Sequence, residues 1–151
     1  MTKKTFEYLY HLTDAALLPA LAAEGLDPQY SRAFGWGERL VYLAGDESHA
    51  DGYADHHSEK TWESPMMLRV RFVDLDAEAF RSDDVDMPDL MKQNGDERDL
   101  DEVTWTESLY TSGQCGYAGI IPPLAIEVRM RGETKEWLPL EEFVRTSTPH
   151  P

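Results

Sequence analysis

Positive charge is scarce in this chain. Lys and Arg number 14 against 29 Asp and Glu, leaving a formal charge of -15 over 151 residues. Broad nucleic-acid binding needs Lys and Arg to neutralise phosphates, so it is excluded as the main role. Anionic membrane surfaces are disfavoured for the same reason. Cysteine is nearly absent too. Cys115 is the single one, which excludes a disulfide within the chain and any multi-Cys zinc knuckle. No apolar run approaches the length of a membrane span. Met1-Thr-Lys-Lys passes straight into Phe6-Glu-Tyr-Leu-Tyr10 without an apolar h-region, so no Sec-type signal is expected. What remains is core material: hydrophobic residues make up 41% and aromatics 11%. That supports one soluble domain over residues 1–145, with a frayed tail from 146 to 151.

The pattern along the chain predicts an α+β domain with several short strands and few helices. Residues 6–12 read as a strand rich in Phe, Tyr and Leu. Thr13 and Asp14 offer capping oxygens, and Leu17, Leu18, Leu21 and Ala22 share one helical face that Gly25 ends. Pro19 predicts an irregular start, or a start at Pro19 itself. Residues 30–38 read as a loop around Trp36, 39–44 as a strand, and the stretch from Ser48 as a helix. Residues 66–73 alternate apolar side chains with Arg69 and Arg71, the mark of a half-exposed strand. The acidic run 74–102 reads as a solvated, mobile excursion with one or two helical turns, including Leu90 and Met91. Strands are expected at 104–110, 114–121 and 126–130, with a turn at Pro122-Pro123. Residues 137–144 would close the domain as a short strand or a helix.

Three segments, in order, resemble the NAD-dependent ADP-ribosyltransferase superfamily. The first is Leu9-Tyr-His-Leu-Thr13, followed by a helix ending Ala22-Ala-Glu-Gly-Leu26. The second is Leu40-Val-Tyr-Leu-Ala44, then Ser48, Ala50 and Tyr53-Ala54. The third is Tyr117-Ala-Gly-Ile-Ile-Pro-Pro123 with Ile126-Glu-Val128. The resemblance covers roughly residues 6 to 130. It implies two small packed antiparallel or mixed sheets with few short helices and an NAD cleft between them. It further implies that His11 bonds the adenosine-side ribose, with Thr13 fixing that strand end. Tyr42 and Tyr53 would sandwich the nicotinamide, and Leu12 and Ala44 would flank the cofactor as neighbours on the same strands. Cleavage of the nicotinamide glycosidic bond passes through an oxocarbenium-like ribose. Groups that hold the dinucleotide and stabilise that charge are what the chemistry needs.

The pattern departs at its third element, where the superfamily usually carries a Glu. Counting back from Pro122 lands on Gln114, which can hydrogen-bond a ribose but brings no negative charge. Three alternatives stand: a branch that uses Gln114, an acid supplied by Glu107, or an inactivating Glu-to-Gln replacement at 114. The activity implied is mono-ADP-ribosyl transfer from NAD, as a substrate, to a macromolecule, by a toxin or effector acting in the cytoplasm or exported without a cleaved signal. The acceptor implied is a protein rather than a nucleic acid, and a cognate antitoxin or immunity protein would be a further partner. The alternatives are an NAD-using RNA 2′-phosphotransferase, which would need a cationic cluster from Arg32, Arg39, Arg69 and Arg71, and a catalytically silent NAD- or protein-binding module. An acidic interaction protein that mimics nucleic acid or inhibits a basic partner follows from charge alone.

Other residues invite weaker readings. His49, His56 and His57 lack the spacing and the cysteines of a zinc site, so no metal is expected. Trp36 between glycines suggests a lid, and Trp105 and Trp137 suggest core. Cys115 has no activating base nearby in sequence and is assigned no nucleophilic role.

Overall fold

The computed structural model describes residues 6–31, 33–57, 64–130 and 136–147, with side chains in the second long helix only as far as residue 52. Seven strands are described: β1 (Tyr8–Asp14), β2 (Val41–Ala44), β3 (Pro65–Arg71), β4 (Phe80–Ser82), β5 (Gln114–Tyr117), β6 (Ile126–Met130) and β7 (Leu138–Pro139). They form one sheet in the order β4-β5-β2-β1-β3-β6-β7, with every neighbouring pair antiparallel. In place of the two expected sheets there is a single one. Its continuity is thin at one point: β1 pairs with β3 along seven residues but with β2 only at Tyr10↔Ala44.

Alternation sorts the strand residues onto two faces. Leu9, Leu43, Leu68, Val70, Cys115, Ile126 and Val128 face the main core, buried beneath α1 (Leu18–Glu24), α4 (Trp105–Thr111) and α5 (Leu140–Ser147). Each fully buried Leu among them contributes about 2 kcal/mol of apolar burial. On the other face Leu12, Ala44 and Met67 pack against Ala50 of α2 (Glu47–His57), with Tyr10 and Trp137 at the margin. Trp137 is stacked against the guanidinium groups of Arg69 and Arg129, 4.7 and 4.4 Å from its ring. Trp105 belongs to the main core, its ring 4.3 Å from that of Phe80.

The start of α1 follows its sequence. Asp14 caps a 3₁₀ turn over Ala15–Leu17, Pro19 sits in the first helical turn, and Gly25 ends the helix at φ 79°. A Cβ on Gly25 would lie 2.1 Å from the Ile121 carbonyl oxygen, which accepts from Leu26 N. This close approach ties α1 to the turn after β5.

Two expectations are corrected. The segment expected as a strand over 104–110 is α4, because Thr104 Oγ1 accepts from Glu107 N and caps the helix. The acidic run 74–102 holds the expected helical turns with Leu90 and Met91 and keeps most of its carboxylates exposed, but it is folded onto the domain rather than a loose excursion. It carries β4 and α3 (Met87–Gln93), buries Asp83 and Asp84, and closes a small core of Met87, Met91 and Val103. The carboxylates are drawn in by backbone N–H groups that need acceptors, and the interleaved methionines supply the apolar anchor. At the C-terminus both forms offered for 137–144 occur, β7 and then α5. Thr146 lies inside α5, with its hydroxyl bonded back to Glu142 and Phe143 carbonyls. Ser147 also belongs to α5, and the expected tail from 148 onward falls outside the described residues. No helix among the described residues is long and apolar enough to cross a membrane.

Candidate functional site

The site forms where β1 and β2 part. Beyond Tyr10↔Ala44 the ladder stops, and the Tyr42 carbonyl oxygen meets the His11 imidazole, with Nδ1 at 2.7 Å. A carbonyl only accepts, so Nδ1 carries the hydrogen and donates. In the neutral ring that leaves Nε2 as a free lone pair. Burial pushes the His11 pKa below the ordinary imidazole value, and the bond to the Tyr42 carbonyl opposes only part of that. His11 is therefore neutral at pH 7. It reaches Tyr42 through the backbone, not through the phenol. Leu12, Thr13 and Ala44 beside it are all buried, and Leu12 and Ala44 spend their side chains on packing.

β5 lies on the far side of β2, in register Ala44↔Gln114 and Tyr42↔Gly116. Directly paired residues share a face, so the Tyr42 and Gln114 side chains project together. Both are held by the loop after β4. Tyr42 Oη donates to Asp84 Oδ1 at 2.5 Å, and Gln114 Nε2 donates to Asp86 Oδ2 at 3.3 Å. Trp36 closes the same loop from outside: its backbone N donates to Asp84 Oδ2 and its Nε1 to the Ser82 carbonyl, both at 3.0 Å. The Phe34 ring meets Tyr42 edge-on at 6.0 Å.

Asp83 shapes that loop from within. Its Oδ1 accepts from Val85 N at 2.8 Å and Asp86 N at 3.1 Å, which turns Asp84 and Asp86 toward the two site residues. Its Oδ2 is buried without a hydrogen-bond partner among the described residues. Burial, and secondarily the Asp83 charge, push the Cys115 thiol far up. Cys115 is thus no nucleophile.

His49 completes the neighbourhood. Its backbone N donates to Asp46 Oδ1 at 2.8 Å, and its Nδ1 lies 2.8 Å from the same oxygen. The ring rests on Gly113, one residue before Gln114, so closely that a Cβ there would lie 2.1 Å from it.

Of the residues expected from sequence, His11, Tyr42 and Gln114 stand on three adjacent strands. Glu107 is placed elsewhere: it lies in the first turn of α4, ion-paired with Arg98, which lowers its pKa. The side chains of Tyr53, His56 and His57 lie outside the described residues. The acids that do touch the site, Asp84 and Asp86, were hidden in a run that reads as solvated surface. The readable signal was Asp86-Met87-Pro88 followed by Leu90 and Met91, a proline-led helix start with helically spaced apolar residues. The carboxylates of Asp99, Asp101 and Glu102 come within 4.8 Å of one another on the surface, a common grouping that by itself assigns no ion. Compared with known proteins, the chain matches no family model and no curated protein.

Proposed function

We propose that the protein is a mono-ADP-ribosyltransferase of the toxin or effector kind, with an ADP-ribosyltransferase-like fold, that uses NAD as substrate and releases nicotinamide. The observation that supports this most is the strand order β5-β2-β1. It sets Gln114, Tyr42 and His11 on three adjacent strands where the sheet opens, with Tyr42 and Gln114 on one face and His11, paired with Leu68, on the core face, its ring reaching the Tyr42 carbonyl. In this reading NAD lies along the opening between β1 and β2. His11 offers Nε2 to a ribose hydroxyl, Tyr42 and Tyr53 bracket the nicotinamide, and Gln114 meets the second ribose. The charge of -15 favours a basic protein as acceptor, and a cognate antitoxin or immunity protein would complement that acidity.

The RNA 2′-phosphotransferase alternative needs free cations in one place. Arg39 donates to the Gln29 carbonyl, Arg69 pairs with Glu127, and Arg71 pairs with Asp74. Arg32 lies outside the described residues. Arg39, Arg69 and Arg71 are thus each engaged with a different acceptor, which favours the transferase.

The test is nicotinamide release from NAD, followed together with NAD binding by calorimetry. Saturable binding that weakens at least about tenfold in His11→Ala, with nicotinamide released by the wild type, is the expected result. Binding without release would favour the silent module. No binding at millimolar NAD would end the NAD reading.

A further inference from the structure

The position where the resemblance calls for a carboxylate holds an amide, yet a carboxylate touches that amide. Gln114 Nε2 donates to Asp86 Oδ2. Asp86 accepts only, so the partner decides which end of the amide faces it. The NH₂ turns toward Asp86 and the carbonyl Oε1 turns away. That Oε1 takes no hydrogen bond among the described residues. Both partners are anchored. Asp86 N donates to Asp83 Oδ1, the Asp86 carbonyl accepts from Leu90 N at the start of α3, and the Gln114 carbonyl accepts from Ser108 Oγ at 2.7 Å.

Resting on the transferase reading, we propose that Asp86 is a positioning residue which, through Gln114, does the work of the missing glutamate. It aims Gln114 Oε1 at a ribose hydroxyl. It also polarises the amide, so that more negative charge faces the developing cation. In the step concerned the C1′–N glycosidic bond breaks and its electron pair leaves with nicotinamide, which departs neutral. The positive charge passes to the ribose as an oxocarbenium. With water as acceptor, a new C1′–O bond forms and one proton goes to solvent, giving ADP-ribose and nicotinamide.

The experiment measures kcat and KM for nicotinamide release in the full chain and in Asp86→Asn, Gln114→Glu and the reversed pair carrying both substitutions. Binding of NAD and thermal unfolding are followed in each. Asp86→Asn is expected to lower kcat at least about tenfold with KM changed less than about threefold. Gln114→Glu alone faces one carboxylate with another and also falls below the wild type. The reversed pair restores both the hydrogen bond and the charge, and recovers most of kcat. A merely structural contact would not give that split or that rescue. If Asp86→Asn does not fold, the reversed pair against Gln114→Glu still decides. An unchanged kcat in Asp86→Asn, a Gln114→Glu faster than the wild type, or a reversed pair no better than Gln114→Glu would overturn the proposal while leaving the transferase reading standing. A wild type that neither binds NAD nor releases nicotinamide overturns both.

Discussion

Tyr42 and Asp84 are bound to each other by a buried hydrogen bond of 2.5 Å between phenol and carboxylate, across 42 positions of sequence. The contact fastens the loop after β4 to the middle of the sheet, and Asp84 Oδ2 passes the hold on to Trp36. A hydrogen bond to a charged group inside a fold is among the stronger single contacts.

Tyr42→Phe removes the hydroxyl and keeps the ring. Asp84 Oδ1 then loses its phenolic donor in a buried setting, which costs about 1–3 kcal/mol. Urea denaturation should show this as a lower midpoint with unchanged slope. If NAD meets the Tyr42 ring face, as proposed, its binding should be nearly preserved.

His11 titrates lower in the fold than in the unfolded chain, because burial disfavours its charged form. As pH falls, the unfolded chain takes up the proton first. The stability this group contributes is whole above the unfolded value near 6.5 and drains away as pH drops toward the folded value. Unfolding free energies measured at intervals from pH 7.5 down to 5 should therefore decline more steeply in the wild type than in His11→Gln. Parallel profiles would show that His11 is not buried as described.

Gly25 and Gly113 both have positive φ, 79° and 86°. Alanine at either site bears backbone strain of about 1–2 kcal/mol. Their surroundings differ. A Cβ at 25 strikes the Ile121 backbone carbonyl, whereas one at 113 strikes the exposed His49 ring, which can swing aside. Gly25→Ala should lose more stability than Gly113→Ala, and His49→Ala should relieve only the latter, as a double-mutant cycle by denaturation would show.

The acidic loop should behave as part of the fold. The amides of Val85 and Asp86, held by Asp83 Oδ1, should exchange slowly with deuterium in the native state. Met91→Ala, which empties part of the small core beneath, should cost about 2–4 kcal/mol and speed their exchange. Rapid exchange in the unsubstituted protein would restore the picture of a solvated segment.

Local signals carried much of the architecture. Aromatic and Leu content placed β1, a period-two run placed β3, and a proline-led start with a glycine stop placed α1, because such features act within one turn or one strand. The same local reading placed His11, Tyr42 and Gln114 on strands. Other outcomes depended on contacts between distant segments. Thr104 and Glu107 spelled a helix cap, yet Trp105, Leu109 and Tyr110 also suit a strand, and packing of Leu109 and Trp105 into the main core accompanied the helix. Whether a carboxylate stays in water or turns inward depends on which donors meet it. Asp84 and Asp86 look like any other acids in their run, and only folding brought the Tyr42 hydroxyl and the Gln114 amide to them. Composition and periodicity settle where the chain is apolar and how it repeats. They are silent about partners far away in sequence, and at Gln114 the carboxylate partner, Asp86, is supplied only by the fold.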